Sequence, residues 1–181
     1  MNVYKGRPNV TEGREARELA VYDTLDALGI KYDRADHGAA MTMEDCRETD
    51  DALGVRMCKN LFLCNRQKTD FYLLLMPADK PFKTKELSAQ IGSARLSFAS
   101  AEDMERYLGV SPGAVSVMGL MNDTDKNVKL LVDGELASNE YIGCHPCVNT
   151  SSLKIRTADV FRTFLAFTGH EITYVKLTGA E

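Results

Sequence analysis

Three stretches of this chain hold residue types that could do chemistry. Gly143-Cys144-His145-Pro146-Cys147-Val148-Asn149-Thr150 combines a Cys-x-x-Cys pair with an imidazole and an amide. Lys59-Asn60 heads the apolar run Leu61-Phe62-Leu63, where a buried ammonium would be costly, so the lysine either points outward or serves a pocket. Gly109-Val110-Ser111-Pro112-Gly113 is a glycine-rich turn, whose backbone N–H groups could cradle a phosphate or an oxyanion.

The cysteine pair has two opposed readings: a redox or zinc dithiol, or packing residues around a turn that presents His145 and Asn149 to a pocket. Structural zinc takes four Cys or His ligands, usually as two local pairs. Cys58 and Cys64 make no second pair, since six strand residues place them roughly 20 Å apart. A thioredoxin-like dithiol opens a helix, whose dipole lowers the thiol pKa. Here Val148 to Ser152 reads as turn and strand. The packing reading is therefore preferred, with no metal and no cofactor expected. Of the other histidines, His37 and His170 each lie beside a glycine at an element's edge, as ordinary turn residues do.

Other chemistries lack their motifs. There is no Gly-x-x-x-x-Gly-Lys loop, no Gly-x-Gly-x-x-Gly after a strand and no Gly-x-Ser-x-Gly elbow. A formal charge of −4 argues against indiscriminate nucleic-acid binding, though not against a few placed cations meeting one end of an RNA. Arg66 with Lys68, and Lys80 with Lys83 and Lys85, read as solvated turn and helix-start charges. Five cysteines without a disulfide spacing, no apolar leader and no membrane-length apolar run point to a reduced, cytoplasmic setting away from membranes.

The elements that must position these residues alternate in type. A helix is expected from Thr11, with Ala16, Leu19, Ala20, Leu25 and Leu28 on one side and Gly29 as its stop. A strand Ile30 to Ala35 follows, then a helix capped by Thr42 and closed at Leu53-Gly54. Met57 to Cys64 and Asp70 to Met76 read as a hairpin. Phe82 to Ile91 reads as helix and Arg95 to Ala99 as strand. Ser100 caps a helix, with Asp103 in capping-box position, that ends at Leu108-Gly109. Strands are expected at Val115 to Leu120, Asn127 to Val132, Tyr141 to Cys147 and Ser152 to Arg156. Thr157 caps a last helix bearing Val160, Phe161, Phe164, Leu165 and Phe167 and stopped by Gly169, before a strand Ile172 to Leu177. The 181 residues fit one domain, a mixed α/β fold with a mixed sheet wrapped by helices.

Taken in order, several phrases resemble the YbaK/prolyl-tRNA-synthetase-associated domain family: Cys58 to Leu63, Arg95 to Ser100, Leu108 to Val115, Gly119 to Asp123, His145 to Thr150 and Gly169 to Glu171. The ordered match runs from about Val21 to Leu177 and is most similar to the free-standing prolyl-tRNA editing members, the ProX/PrdX type. The resemblance implies a single editing domain over residues 1–181 that hydrolyses the ester of a mischarged tRNA(Pro), most often the alanyl ester. Its partners would be the tRNA acceptor end and prolyl-tRNA synthetase; the oligomeric state is left open. By the same resemblance, Lys59 is central to activity and Asn60 belongs to the same site. His145 shapes the aminoacyl pocket, with Gly143 and Asn149 beside it, and the loop Gly113-Ala114-Val115-Ser116-Val117 packs against the substrate's end.

Two departures stand out. The family loop reads Gly-x-x-x-Pro, and Val117 in place of proline frees φ and adds an N–H. Where family members have His-Pro near the start, this chain has His37-Gly38. An aminoacyl ester is already activated, so a positioned water, the vicinal hydroxyl and fixed donors suffice without a nucleophilic triad. The alternative from another class is a non-catalytic module that holds tRNA or its aminoacyl end beside a synthetase.

Overall fold

Nine strands divide between two sheets in the computed structural model, which describes residues 1–39 and 43–180. The first sheet is antiparallel, in the order β1 (Val3–Lys5), β2 (Tyr32–Asp36), β8 (Ser151–Arg156), β7 (Tyr141–Cys144). The second is mixed, in the order β5 (Leu96–Phe98), β3 (Lys59–Asn65), β4 (Phe71–Met76), β6 (Val128–Asp133), β9 (Ile172–Val175). Its β5-β3-β4 half is antiparallel, and β6 and β9 add on in parallel. The mixed α/β class is as expected from sequence, with the strands shared between two sheets rather than one.

Sequence pattern explains the layering. β4 reads Phe71-Tyr72-Leu73-Leu74-Leu75-Met76 and is buried on both faces, as a central strand covered on two sides must be. One face of its sheet, with Phe62, Leu73, Leu130 and Val132, meets Leu153 and Ile155 of the first sheet. Val21, Tyr22 and Leu25 of α1 (Ala16–Ala27) join the same core. The other face, with Leu63, Leu74, Met76 and Leu131, packs under Leu87 and Ile91 of α3 (Thr84–Ile91). α2 (Met43–Leu53) lies on β2 and β8.

The hairpin β3–β4 and the capped helix α4 (Ala101–Leu108) stand where the sequence puts them, with the Ser100 hydroxyl accepting from the Asp103 N–H at 3.1 Å. Other expectations need correction. α1 starts at Ala16 rather than Thr11, because Gly13 takes φ +79° and a turn closes from Arg14 N–H to the Thr11 carbonyl. The Thr42 cap lies outside the described residues. Val115 to Leu120 is not a strand: Val117–Asn122 winds as a 3₁₀ helix capped by the Ser116 hydroxyl. A short apolar run has no period to separate the two. Thr157 caps nothing; its hydroxyl is buried without a partner, and the helix beyond it is π-wound over Asp159–Phe164 before α6 (Leu165–Thr168). Lys80 is not a solvated charge, since Asp133 and Glu135 hold its ammonium at 2.7 and 2.9 Å. Burial opposes that charge, and the two carboxylates outweigh it and raise the pKa.

The two sheets touch where Met57 bridges Gly143 and the Cys58 N–H donates to the Gly143 carbonyl at 3.2 Å. A β-carbon on Gly143 would lie 2.8 Å from Met57 Sδ and 3.2 Å from both the Arg56 carbonyl oxygen and Met57 Cα. Only glycine lets the backbones approach this far. Gly143→Ala should therefore lower unfolding free energy by about 1–3 kcal/mol, the scale of an overpacked site. Urea denaturation checks this, and an unchanged midpoint contradicts it.

Candidate functional site

β5 pairs with β3 only over Leu63–Asn65, with one further bond from the Ala99 N–H to the Phe62 carbonyl. At its other end, β3 is preceded by the Gly143 junction at Met57 and Cys58. Between those two attachments, no strand among the described residues pairs with Lys59 to Leu61 on this side, which leaves a bare sheet edge. A cavity of about 310 Å³ opens there, lined by Cys58, Asn60, Leu61, Phe62, Phe98, Met104, Gly113, Val115 and His145. Residues from opposite faces of β3 line it, so it straddles the edge rather than lying on one face.

The sequence-derived residues divide four ways. Asn60, Gly113, Val115 and His145 form the cavity wall. Ala114, Ser116, Val117 and Gly143 are buried behind it. Asn149 flanks the loop, its amide nitrogen 3.4 Å from where a Gly113 β-carbon would stand. Lys59 alternates with Asn60 along the strand and points to the other face, where Nζ donates to the Lys80 carbonyl at 2.5 Å. Lys59 and Asn60 are thus neighbours in sequence on opposite sides of one edge.

The buried tier holds the wall in place. The Asn60 side-chain Oδ1 accepts from the Val117 N–H at 3.1 Å, and its Nδ2 donates to the Cys58 carbonyl at 3.2 Å. The Ser116 hydroxyl donates to the His145 carbonyl at 2.6 Å. Arg17 donates to the Gly109 carbonyl at 3.1 Å and meets Glu105 at 3.0 Å, securing the approach to the glycine loop from α1. The loop's own donors are partly committed: the Ala114 N–H goes to the Ser111 carbonyl, and Val117 N–H to Asn60.

His145 Nδ1 lies 2.8 Å from the Ser151 carbonyl, a contact that only an Nδ1–H can satisfy, so Nε2 is the free acceptor. Burial lowers its pKa below the ordinary imidazole value, with the neighbouring His37 adding to the effect, against the opposing Ser151 bond. Ser151 is anchored in turn, its hydroxyl donating to Asp36 at 2.7 Å. Burial alone would raise Asp36, but hydrogen bonds from Arg14, Arg34 and Ser151 hold it at about 2. Arg14 also binds buried Glu18 at 2.6 Å, and Tyr22 donates to Glu18 at 2.6 Å.

Sequence reading missed this polar bed and missed His37. The β2–β8 register sets Asp36 against Ser151, which brings His37 beside His145 with ring centroids 6.1 Å apart. His37 Nε2 lies 2.8 Å from the Ser152 hydroxyl. Only the His37-Gly38 phrase could have pointed to it. His170 is structural, as expected of a turn residue: buried, it bridges Asp123 at 2.8 Å and Thr168 at 2.9 Å. The cysteines pack. Burial pushes Cys58 up to about 11, Cys147 up to about 12 and Cys144 up as well, so all three are thiols at neutral pH.

Residues 37–163 match the family model for the aminoacyl-tRNA editing domain. The chain belongs to that family. Among its relatives, the editing domain is 32% identical over 141 residues to the prolyl-tRNA editing protein ProX of Acetoanaerobium sticklandii, covering 78% of this chain and 86% of that one. Prolyl-tRNA synthetase associated domain-containing protein 1 of Danio rerio is 31% identical over 148 residues, covering 81% and 79%. In fold, the editing domain superimposes on a proposed trans-editing enzyme for prolyl-tRNA synthetase with a TM-score of 0.66 at 16% identity, over 90% of this chain and 98% of that one.

Two outcomes follow from these contacts. Ser116 is extended at φ −153° and ψ 148°, and Val117 opens a 3₁₀ turn, a backbone that accepts proline. Val117→Pro should fold, yet lose about 1 kcal/mol with the deleted donor to Asn60; unchanged stability in a urea titration contradicts the bond. The second concerns pH. A folded His145 pKa below 6.5 means that the unfolded chain takes the proton first on acidification. Stability contributed by neutral His145 is therefore whole above 6.5 and falls as pH drops through that value. Asp36 acts only in the separate window from 3.8 down to about 2. Melting temperatures from pH 7.5 to 5 should fall in the parent and fall less in His145→Gln; identical slopes contradict the shift.

Proposed function

We propose that this editing domain is a trans-acting aminoacyl-tRNA deacylase that hydrolyses mischarged tRNA(Pro), with the alanyl ester as its main substrate. The observation that carries this reading is the bare edge of β3, with an aminoacyl-sized cavity at Asn60 and His145 and an ammonium, Lys59, on the opposite face. Family membership and the names of the relatives support the substrate class.

In this reading the aminoacyl group enters the cavity and the terminal nucleotide stays outside, across the edge. Water adds to the ester carbonyl, the C–O bond to the ribose breaks, and the ribose oxygen takes up a proton, releasing amino acid and tRNA. The glycine loop offers the N–H groups of Gly113 and Val115 toward the developing oxyanion. Neutral His145 adds no positive charge beside the substrate's α-ammonium and offers Nε2 as an acceptor. Lys59, on the far face, meets the phosphate of the terminal nucleotide. An attack by lysine itself would end in a stable amide, so its role is electrostatic. Size does the selecting, because an oversized ring clashes more decisively than a missing methylene fails to bind. Val117 does not loosen the pocket directly, as its side chain is fully buried in the core.

The test is a set of initial deacylation rates for alanyl-, seryl-, cysteinyl- and prolyl-tRNA(Pro) at one enzyme concentration, for the parent and Lys59→Ala. The alanyl ester should be cleared while the prolyl ester persists, and Lys59→Ala should lose ~10²-fold or more, the scale of a misplaced ester once the phosphate is no longer held. Equal alanyl and prolyl rates contradict the size filter. No hydrolysis of any ester contradicts the enzyme, and an unchanged Lys59→Ala contradicts the role of the ammonium.

A further inference from the structure

Phe98 has no role in the account so far, yet it sits on the cavity's lip. It is 62% exposed, the most exposed large apolar side chain along the cavity wall. It ends the edge strand β5, a position where solvent-facing aromatics invite sheet-to-sheet association and need a reason. Strand alternation puts Phe98 on the same face as Leu96, which is buried, and the register sets it opposite Leu63. Phe82 meets its ring at 5.9 Å and 61°, an edge-to-face contact that fixes the ring and leaves most of it exposed.

The same alternation places Lys59 and Leu61 on Phe98's side of β3, away from Asn60 and Phe62. A substrate crossing the bare edge therefore leaves the Asn60 and His145 side and emerges between an ammonium and an exposed aromatic ring. The cavity's volume is at the lower end of ligand sites, room for an aminoacyl group and ribose but not for a base as well. Every tRNA ends in adenosine, whose uncharged purine offers a broad π-face next to a phosphate. Aromatic side chains hold such bases by stacking, whatever the sequence that precedes them.

We infer that Phe98 is the platform on which the terminal adenine of the bound tRNA stacks. This rests on the deacylase reading for the identity of the ligand, but it is a claim about binding and stands or falls separately from catalysis. Stacking contributes to holding the end of the tRNA and not to the bond-breaking step. It discriminates neither among tRNAs nor among amino acids.

Two measurements on the parent, Phe98→Ala, Phe98→Leu and Phe98→Trp test it. In steady-state deacylation of alanyl-tRNA(Pro), Phe98→Ala and Phe98→Leu should each raise KM by about tenfold, the scale of one lost base stack, with kcat within twofold. Phe98→Trp should match or improve on the parent. In equilibrium binding of uncharged tRNA(Pro), the parent should bind the intact molecule about tenfold more tightly than one whose terminal nucleotide is abasic, and Phe98→Ala should bind both alike. Phe98→Leu behaving as the parent would overturn the platform, because an aliphatic cover would then suffice. Loss in kcat alone would overturn it too. If the parent hydrolyses nothing but shows the binding difference and Phe98→Ala abolishes it, the platform holds and the deacylase reading fails.

Discussion

The edge of β3 that faces away from β4, held at its two ends and paired with no strand between them among the described residues, is the constraint on which the rest depends. Toward its far end the strand is held by β5; ahead of it, the Gly143 junction carries the chain to the other sheet. A sheet edge normally invites pairing and must be blunted or used. Here the gap is one strand segment long and is walled by a glycine loop, a histidine turn and the start of α4. The histidine turn lies between two strands of the first sheet and the other walls follow β5 of the second, so the site is complete only when the two sheets have met. Gly143, which touches no substrate in this account, is for that reason as necessary to the site as the residues in its wall.

Behind the wall lies an unusually polar layer for a protein interior. Glu18 of α1 and Arg34 of β2 are buried, with half-buried Arg14 and Asp36 beside them, and Ser151 connects the group to His145. Buried ions of this kind stabilise little in net terms, since desolvation offsets their attraction. What they do is fix geometry: the Ser151 carbonyl is placed, the imidazole tautomer follows, and burial keeps the ring neutral. A positioned neutral acceptor suits a pocket whose ligand carries its own positive charge.

Much of the architecture was legible because it is written locally. The β3–β4 hairpin, the Ser100 cap and the glycine stops at Gly109 and Gly169 rest on residues within a few positions of each other. What local pattern misread was set by distant contacts or by backbone geometry. Val115 to Leu120 looks like a strand until Ser116 caps it into a 3₁₀ turn. β1 is exposed along its whole length and exists only through pairing with β2. At the site, motif order singled out Asn60, the glycine loop and His145, but not how they divide between wall and support. It placed Lys59 with Asn60, where the pleat of the strand sets them on opposite faces. His37 was passed over because only the β2–β8 register brings it to His145.

The most direct test of a site that straddles β3 is a backbone and side-chain NMR titration with a non-hydrolysable amide analogue of alanyl-adenosine carrying a 5′-phosphate. Signals of Asn60, Gly113, Val115 and His145 should shift on one side of the strand, and those of Lys59 on the other, all saturating at one concentration. Shifts confined to one face of the strand, or to residues away from the cavity wall, would contradict the account.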